Sequence, residues 1–384
     1  MLRPVDFKKF AIFLLLPLSA APQPSGIVRE GDHFVRVFSG EAAARRRLRI
    51  NAHGPVNVQA GSGGHITYTV RLSVMARTEA EARIVMQRYA VRVSPQGEWV
   101  VLTAPGGPVI STVTVKAPSL DQLVVSTSDG AVEARGVAGS LEVDTRAGEL
   151  SADRIGGDCK LVTGGGDIQV GTVGGGLRCS TGAGKIKVGT VRGAAELETV
   201  GGDITANDVG GAVRAETGGG GVHIVKAGGA VTAGTVGGQI IVDSANGIVT
   251  ARNMAGPVRV GAAWGVQCES GSGGINVSNI SGGMRVSTSL GNIMASLLAG
   301  RLAADSFLAT GNGDVTVYIP SNVGVNVRAQ NDLADSVRRI AVDFPGVRVR
   351  RQGRLIVAEG PVNGGGPLLQ ISAAVGTIFI RKQP

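Results

Sequence analysis

Cut from Asp129 in blocks of nine, the chain reads DGAVEARGV, AGSLEVDTR, AGELSADRI, GGDCKLVTG, GGDIQVGTV, and the frame holds for fifteen blocks, to Ala263. The second position is glycine in all fifteen, from Gly130 to Gly256, and the fourth and sixth are apolar in all fifteen. Positions three, five and seven are mostly polar or small. That alternation is the period-two pattern of a half-buried strand. A glycine at a fixed place lets the chain turn between strands, because it takes positive φ without steric cost. Each block is therefore one short strand and one tight corner.

Two topologies fit such blocks: an antiparallel meander with Gly-Gly hairpins, or a β-solenoid whose strands stack in parallel on the next coil. The ninth position separates them. In alternate blocks it is always apolar (Val137, Ile155, Val173, Val191, Val209, Ala227, Ala245, Ala263), whereas between them it is mixed (Arg146, Gly164, Gly182, Val200, Gly218, Val236, Met254). The true period is eighteen, with two unlike strands per turn. A meander gives no reason for that period, and it would leave one apolar face of a very long sheet uncovered; open sheets rarely exceed about ten strands. A solenoid covers the face by wrapping the chain around it. The expected fold is an all-β, single-chain β-solenoid, parallel β-helix-like, with about 18 residues and two strands per coil. Composition agrees: 61 of 384 residues are glycine and only 3% are aromatic, so a thin core of small branched side chains is easier to build than a thick one.

Past 263 the frame slips. Val258 to Val266 is eight residues; Ile275, Met284, Ile293 and Leu302 return to nine; Leu302 to Val315 is thirteen, which places four inserted residues around 309–312. Leu123 and Val125 extend the pattern backwards by one block. The solenoid is expected over 120–320, some eleven coils, about 50 Å long at about 4.8 Å per strand. The flanks, 22–119 and 321–384, read as β-rich caps over edges that would otherwise invite aggregation. In the first, alternating runs at 55–59 and 65–74 precede Thr78-Glu79-Ala80-Glu81, which has capping-box form. That box opens the one helix, about 78–90, with Ala82, Val85, Met86 and Tyr89 along one face. Strands follow at 91–94 and 99–103. The second flank carries strands at 315–319, 323–327, 339–344, 347–350, 355–358, 368–373 and 377–381.

Residues 1–21 read as a secretory signal peptide. Arg3, Lys8 and Lys9 precede the apolar run 10–18, and Ser19-Ala20-Ala21 offers a small-residue cleavage site. The run is too short to span a bilayer, and no later segment is a transmembrane candidate. The mature chain is expected to be secreted, periplasmic or at the cell surface.

Several stretches carry a family resemblance: Thr163-Gly164-Gly165-Gly166-Asp167-Ile168, Thr310-Gly311-Asn312-Gly313-Asp314-Val315, Val115-Lys116-Ala117-Pro118 and Gly376-Thr377-Ile378-Phe379-Ile380. These strands with T-G-x-G-D-I and V-G-G corners, behind a signal peptide, resemble the bacterial putative-adhesin family of β-strand-repeat domains, a domain of unknown function, over roughly 50–382. The resemblance implies an extracellular repeat architecture. It implies no catalytic residues, because its motifs are corner and core positions.

The residues themselves point the same way. Calcium-binding nonapeptides carry aspartate at position six, which is apolar here in every block. Asp158, Asp167 and Asp203 stand at position three in only three blocks and read as turn carboxylates. His33, His53, His65 and His223 lie in unrelated segments with no ligand spacing. No G-x-S-x-G and no phosphate-loop motif occurs, and no cofactor is implied. Cys159 and Cys179 fall diagonally on one face in adjacent coils, beyond comfortable disulfide reach. Cys268 lies five coils on; all three read as buried thiols. Two matches to a glycosylation sequon begin at Asn276 and Asn279 and are attributed to chance.

Charge is concentrated at the ends. The net is +9, or 35 basic against 28 acidic residues without 1–21. Arg45, Arg46, Arg47 and Arg49 form one basic stretch and Arg348, Arg350, Arg351 and Arg354 another. They are the candidate contacts to an anionic surface, such as lipid head groups or acidic polysaccharide. Nucleic acid is not expected, since stacking aromatics are scarce. The functional expectation is an exported, non-catalytic scaffold or adhesin-like binding module, with cell-surface glycans or other envelope components as partners. The alternative is a polysaccharide-binding or polysaccharide-cleaving β-helix enzyme, which would need clustered carboxylates in a cleft.

Overall fold

The computed structural model describes residues 23–24, 26–298, 300, 302–332 and 339–383. The expected signal peptide lies outside the described residues. The described chain is nearly all β, with one short helix.

Successive blocks send their strands alternately to two sheets, called here sheet A and sheet B. From Gln122 to Val260 strands pair in parallel at a spacing of eighteen residues. Leu123 lies opposite Leu141 and Leu141 opposite Cys159 in sheet B; Ile168 lies opposite Ile186 and Ile186 opposite Ile204 in sheet A. Eleven coils stack this way between Gln122 and Ile319. The alternation holds through them: Ile168 and Val170 are buried while Gln169 is exposed, and Ile186 and Val188 repeat this around Lys187. Each buried Val or Ile contributes about 1.5–3 kcal/mol of transfer free energy.

The two corners close differently. At one, the ninth-position residues Val137, Ile155, Val173, Val191 and Val209 are buried in an apolar column. At the other runs a buried polar column: Thr145, Thr163, Thr181, Thr199, Thr217, Thr235 and then Asn253. Thr145 Oγ1 donates to Ala147 O at 3.0 Å, and from Thr163 on each donates to a glycine carbonyl of the preceding coil: Thr181 Oγ1 to Gly166 O at 2.9 Å, Thr199 Oγ1 to Gly184 O at 2.8 Å, Thr217 Oγ1 to Gly202 O at 2.8 Å, Asn253 Nδ2 to Gly238 O at 2.8 Å. The following glycine N–H often returns a bond to the hydroxyl, as Gly202 does to Thr199 at 3.3 Å. Burying a hydroxyl without a partner costs free energy, and each of these bonds contributes about 1 kcal/mol net.

The glycines serve a purpose other than the expected one. Of the fifteen second-position glycines, only Gly130, Gly148 and Gly256 have positive φ. The rest are required by the stacking distance: a Cβ on Gly184 would lie 1.9 Å from Gly166 O, and one on Gly202 would lie 2.1 Å from Gly184 O.

Both slips appear, one of them displaced. The eight-residue block shortens the corner after Val258–Val260, so that Val249 pairs with Val266, seventeen residues on. The four extra residues do not sit at 309–312. Val286 pairs with Leu308 and Ile293 with Val315, a register of twenty-two. The insertion therefore lies in the corner between Ile293–Leu297 and Ser306–Asn312. Leu302 is buried within that corner rather than in a strand, so its nine-residue spacing from Ile293 does not mark a coil.

Coil stacking continues past both ends of that run, out of chain order. Arg47–Ala52 and Val56–Ala60 pair in parallel with Gln122–Thr127 and Val132–Arg135. On their other side they pair in parallel with Trp99–Thr103 and Val109–Ala117. At the far end, Leu368–Val375 inserts between Ser306–Asn312 and Val325–Asn331, and Ile378–Lys382 between Val315–Ile319 and Ile340–Val342. Beyond these coils the pairing turns antiparallel. His65–Met75 joins Val109–Ala117 to His33–Ala43 in sheet A. Arg92–Gln96 and Arg348–Gln352 are the outer strands of sheet B.

The helix α1 spans Glu79–Arg88 between two of these strands. Thr78 Oγ1 accepts from Glu81 N at 3.2 Å, and Glu81 Oε2 accepts from Arg77 N at 3.0 Å. Ala82 and Met86 are buried, and Val85 and Tyr89 pack against the core. Cys159, Cys179 and Cys268 are free and buried. Leu161 stands opposite Cys179 and Leu141 opposite Cys159, which confirms the diagonal placement. No helix among the described residues is long and apolar enough to cross a membrane.

Candidate functional site

The two basic stretches both lie on sheet B, at opposite ends. Between Arg47–Ala52 and Arg348–Gln352 stand fifteen strand steps, about 70 Å at about 4.8 Å each, so the structure does not bring them together. At the first end, Arg45 Nη1 donates to Gly97 O, Arg46 pairs with Asp121 at 3.2 Å, and Arg47 pairs with Glu98 at 3.1 Å. Arg47 and Arg49 lie over the Trp99 ring at 5.9 and 4.8 Å. The Arg45, Arg47 and Arg49 contacts pin the hairpin of Arg92–Gln96 and Trp99–Thr103 onto the neighbouring coil, and Arg46 ties to the coil on the other side. At the second end, Arg350 pairs with Glu359 at 2.7 Å and Arg351 Nε donates to Gly353 O at 3.3 Å. Arg348 and Arg354 are exposed and make no ion pair among the described residues.

The position-three aspartates each accept a backbone N–H of the next coil. Asp158 Oδ1 accepts from Gly176 N at 2.8 Å, Asp167 Oδ1 from Lys185 N at 2.8 Å and Asp203 Oδ1 from Gly221 N at 2.9 Å. Among the described residues no three His, Cys, Asp or Glu side chains converge as metal ligands would. His223 bonds Asp243 at 3.0 Å and His53 bonds Ser128.

A feature missing from the sequence reading lies along sheet B, where its strands begin. A trough of about 700 Å³ crosses the strands from Gln122 to Thr232, parallel to the stacking axis. Its floor holds Gly176, Ala194, Ala212 and Ala230. One wall is a ladder with one side chain per coil: Glu142, Lys160, Arg178, Glu196, Arg214, Thr232. Lys160 bonds Glu142 at 2.8 Å, Arg178 bonds Glu196 at 3.0 Å and Arg214 bonds Glu216 on its own strand at 2.6 Å. Beginning on the next strand, a second hollow of about 220 Å³ continues the line, with Ile248, Trp264, Arg285 and Phe307 among its lining. Trp264 is 53% exposed, and Arg285 lies 5.1 Å from the Phe307 ring centre. The signal for the floor was present at position three of alternate blocks, where residues shrink to Gly, Ala, Ala and Ala. It becomes a trough only once those blocks are stacked.

Of the carboxylates in the trough, Asp158 is committed to the Gly176 amide and Glu142 to Lys160. Glu196, bound to Arg178, stands three strands from Glu142, about 14 Å along the stack. A glycosidase pair stands about 5–9.5 Å apart.

No protein-family model matches this chain, and no curated protein does. Solved structures to which the chain is similar include the following three. A putative adhesin from Bacteroides fragilis is 13% identical, covers 67% of this chain and 96% of its own, and has a TM-score of 0.28. A putative cell adhesion protein from Clostridium sporogenes is 10% identical, with 94% and 100% covered and a TM-score of 0.18. A putative adhesin from Parabacteroides merdae is 10% identical, with 74% and 95% covered and a TM-score of 0.27.

Proposed function

We propose that the chain is an exported, non-catalytic β-solenoid that serves as a scaffold and adhesin-like binding module of the cell surface or envelope. The observation that carries this reading is the in-register exposed ladder of sheet B, which repeats hydrogen-bonding side chains coil after coil over a fixed core. Such a surface suits weak, repeated contacts to a repeating partner, whose affinities multiply when engaged together. The basic run before the apolar segment 10–18 supports export. Exposed Arg348 and Arg354 at one end, and the Arg45–Arg49 stretch at the other, supply positive charge for an anionic surface.

A glycan-array screen of the mature protein, with a reducing-end assay on every hit, tests the reading. Binding without release of reducing ends is expected. Release of reducing ends would establish the polysaccharide-cleaving alternative, and failure to bind any glycan or anionic lipid vesicle would remove the binding role.

A further inference from the structure

We infer that the trough on sheet B is the ligand site and that its occupant is an uncharged linear polysaccharide strand lying along the solenoid axis. This rests on the reading of the chain as a binding module and assigns that module its site and ligand class. Three features lead to it.

The first is shape. The trough crosses seven strands, from Gln122 to Thr232, a run of about 29 Å at about 4.8 Å per step. That length suits an extended polymer and leaves a small molecule mostly uncovered. The second is the floor. Ala194, Ala212 and Ala230 are exposed and follow Gly176 in one column, so they present a flat apolar strip to the C–H face of a sugar ring. Farther along the line, the exposed indole of Trp264 offers a second such face with a polar N–H at its rim.

The third is charge. The wall carries donors and acceptors at every coil, yet its ions are already compensated, Lys160 by Glu142, Arg178 by Glu196 and Arg214 by Glu216. A polyanion entering here would meet Glu142, Asp158 and Glu196, and a polycation would meet the three bases. Either would have to break pairs in order to make pairs. A chain of neutral hydroxyls meets no such conflict, since it can donate to the carboxylates and accept from the guanidinium and ammonium groups while the pairs persist. Hydrogen bonds to charged partners are the stronger kind.

The test measures binding of the mature protein to soluble mixed-linkage β-glucan and linear mannan, with polygalacturonate and chitosan as charged comparisons. Three variants accompany the parent: Ala212→Trp, which fills the floor from an exposed position; Trp264→Ala; and the double variant Arg348→Ala/Arg354→Ala. At least one neutral polymer should bind, with little change between about 0.05 and 0.5 M salt. Ala212→Trp and Trp264→Ala should each weaken it by about tenfold or more, with circular dichroism unchanged. Binding that survives both trough variants would overturn the assignment, as would binding to neither neutral polymer. Salt-sensitive binding to polygalacturonate alone, lost in the double arginine variant, would also overturn the trough while leaving the binding-module reading intact. Absence of binding to all four polymers would overturn the trough, and absence of binding to every arrayed glycan and to anionic lipid vesicles as well would remove both.

Discussion

Gly165 and Gly166 are adjacent in one corner, and neither has positive φ. A Cβ on Gly165 meets nothing within 4 Å, whereas one on Gly166 would lie 2.2 Å from Gly148 O and 2.5 Å from Gly148 C. Replacing each with alanine is therefore a controlled comparison of stacking against local chain freedom. Gly165→Ala should stabilise by about 0.4–1 kcal/mol, through the lost entropy of the unfolded chain. Gly166→Ala gains the same term but must move the two coils apart by about 1 Å to reach an ordinary carbon–oxygen separation of about 3.3 Å. That shift stretches Gly148 N to Gly165 O from 3.2 Å and Leu150 N to Asp167 O from 2.9 Å, both past bonding range. Two lost bonds cost about 1–3 kcal/mol, and the crowding costs about 1–3 more. The net loss should be about 3 kcal/mol, or about a hundredfold in local opening. Stability in a solenoid is a sum over neighbouring coils, so hydrogen exchange read coil by coil is the appropriate assay. Gly166→Ala should lose protection around residues 140–190, and Gly165→Ala should lose none. Equal behaviour of the two would refute the claim that coil spacing, rather than turn geometry, selects glycine here.

Ile168 is 1% exposed, so Ile168→Lys should cost several kcal/mol by burying an unpaired charge. Gln169→Lys, one residue on and outward, should stay within about 0.5 kcal/mol; hydrogen exchange around 150–186 distinguishes them, and equal tolerance would contradict the alternation. Burial pushes the Cys159 and Cys268 thiols up to about 12 and Cys179 well above its ordinary value. The native protein should therefore resist thiol reagents near neutral pH, while in denaturant without reductant all three should react; fewer than three would reveal a disulfide. The bond from Arg381, 2.7 Å from Asp343, holds the Asp343 carboxyl below its ordinary 3.8. A depressed carboxylate contributes stability above its unfolded pKa and loses it as pH falls through the folded value. Protection of Ile340–Val342 should thus weaken only below about pH 4, and Asp343→Asn should remove that acid dependence.

What the sequence made legible follows from what repeats. Apolar residues at positions four and six recur in every block and define the inward faces of both sheets and the placement of the cysteines, while the alternating ninth position defines the eighteen-residue register. The Thr181–Thr199–Thr217 column has the same period and the same inward parity. A search for apolar residues passes over it because a hydroxyl looks solvent-facing until its acceptor is known, and here the acceptor is a carbonyl of the previous coil. Leu302 shows the complementary case: its spacing is that of a strand residue, yet a long corner buries a leucine equally well. The trough was hidden because it belongs to no single block. Its floor and wall are columns, built from position three and position five of successive coils.

The ends were the least legible, since no local pattern announces that 47–60 stacks between 99–117 and 122–135, or that the final strands insert beneath earlier ones. This threading has a physical consequence. Leu368–Val375 and Ile378–Lys382, the last strands in sequence, are paired on both sides, so the C-terminal coil is an interior coil and not a fraying edge. The outer strands of sheet B fall instead on Arg92–Gln96, which contains Pro95, and on Arg348–Gln352, which is exposed along its whole length and carries Arg348, Arg350 and Arg351. Proline and a row of like charges are both devices that discourage one sheet edge from pairing with another. A parallel stack with flat, open ends would otherwise be a template for end-to-end growth. The basic residues at 348–354 thus have a role that requires no ligand, since they keep one copy of the solenoid from continuing into the next, and an anionic partner would bind a surface already positive for that reason.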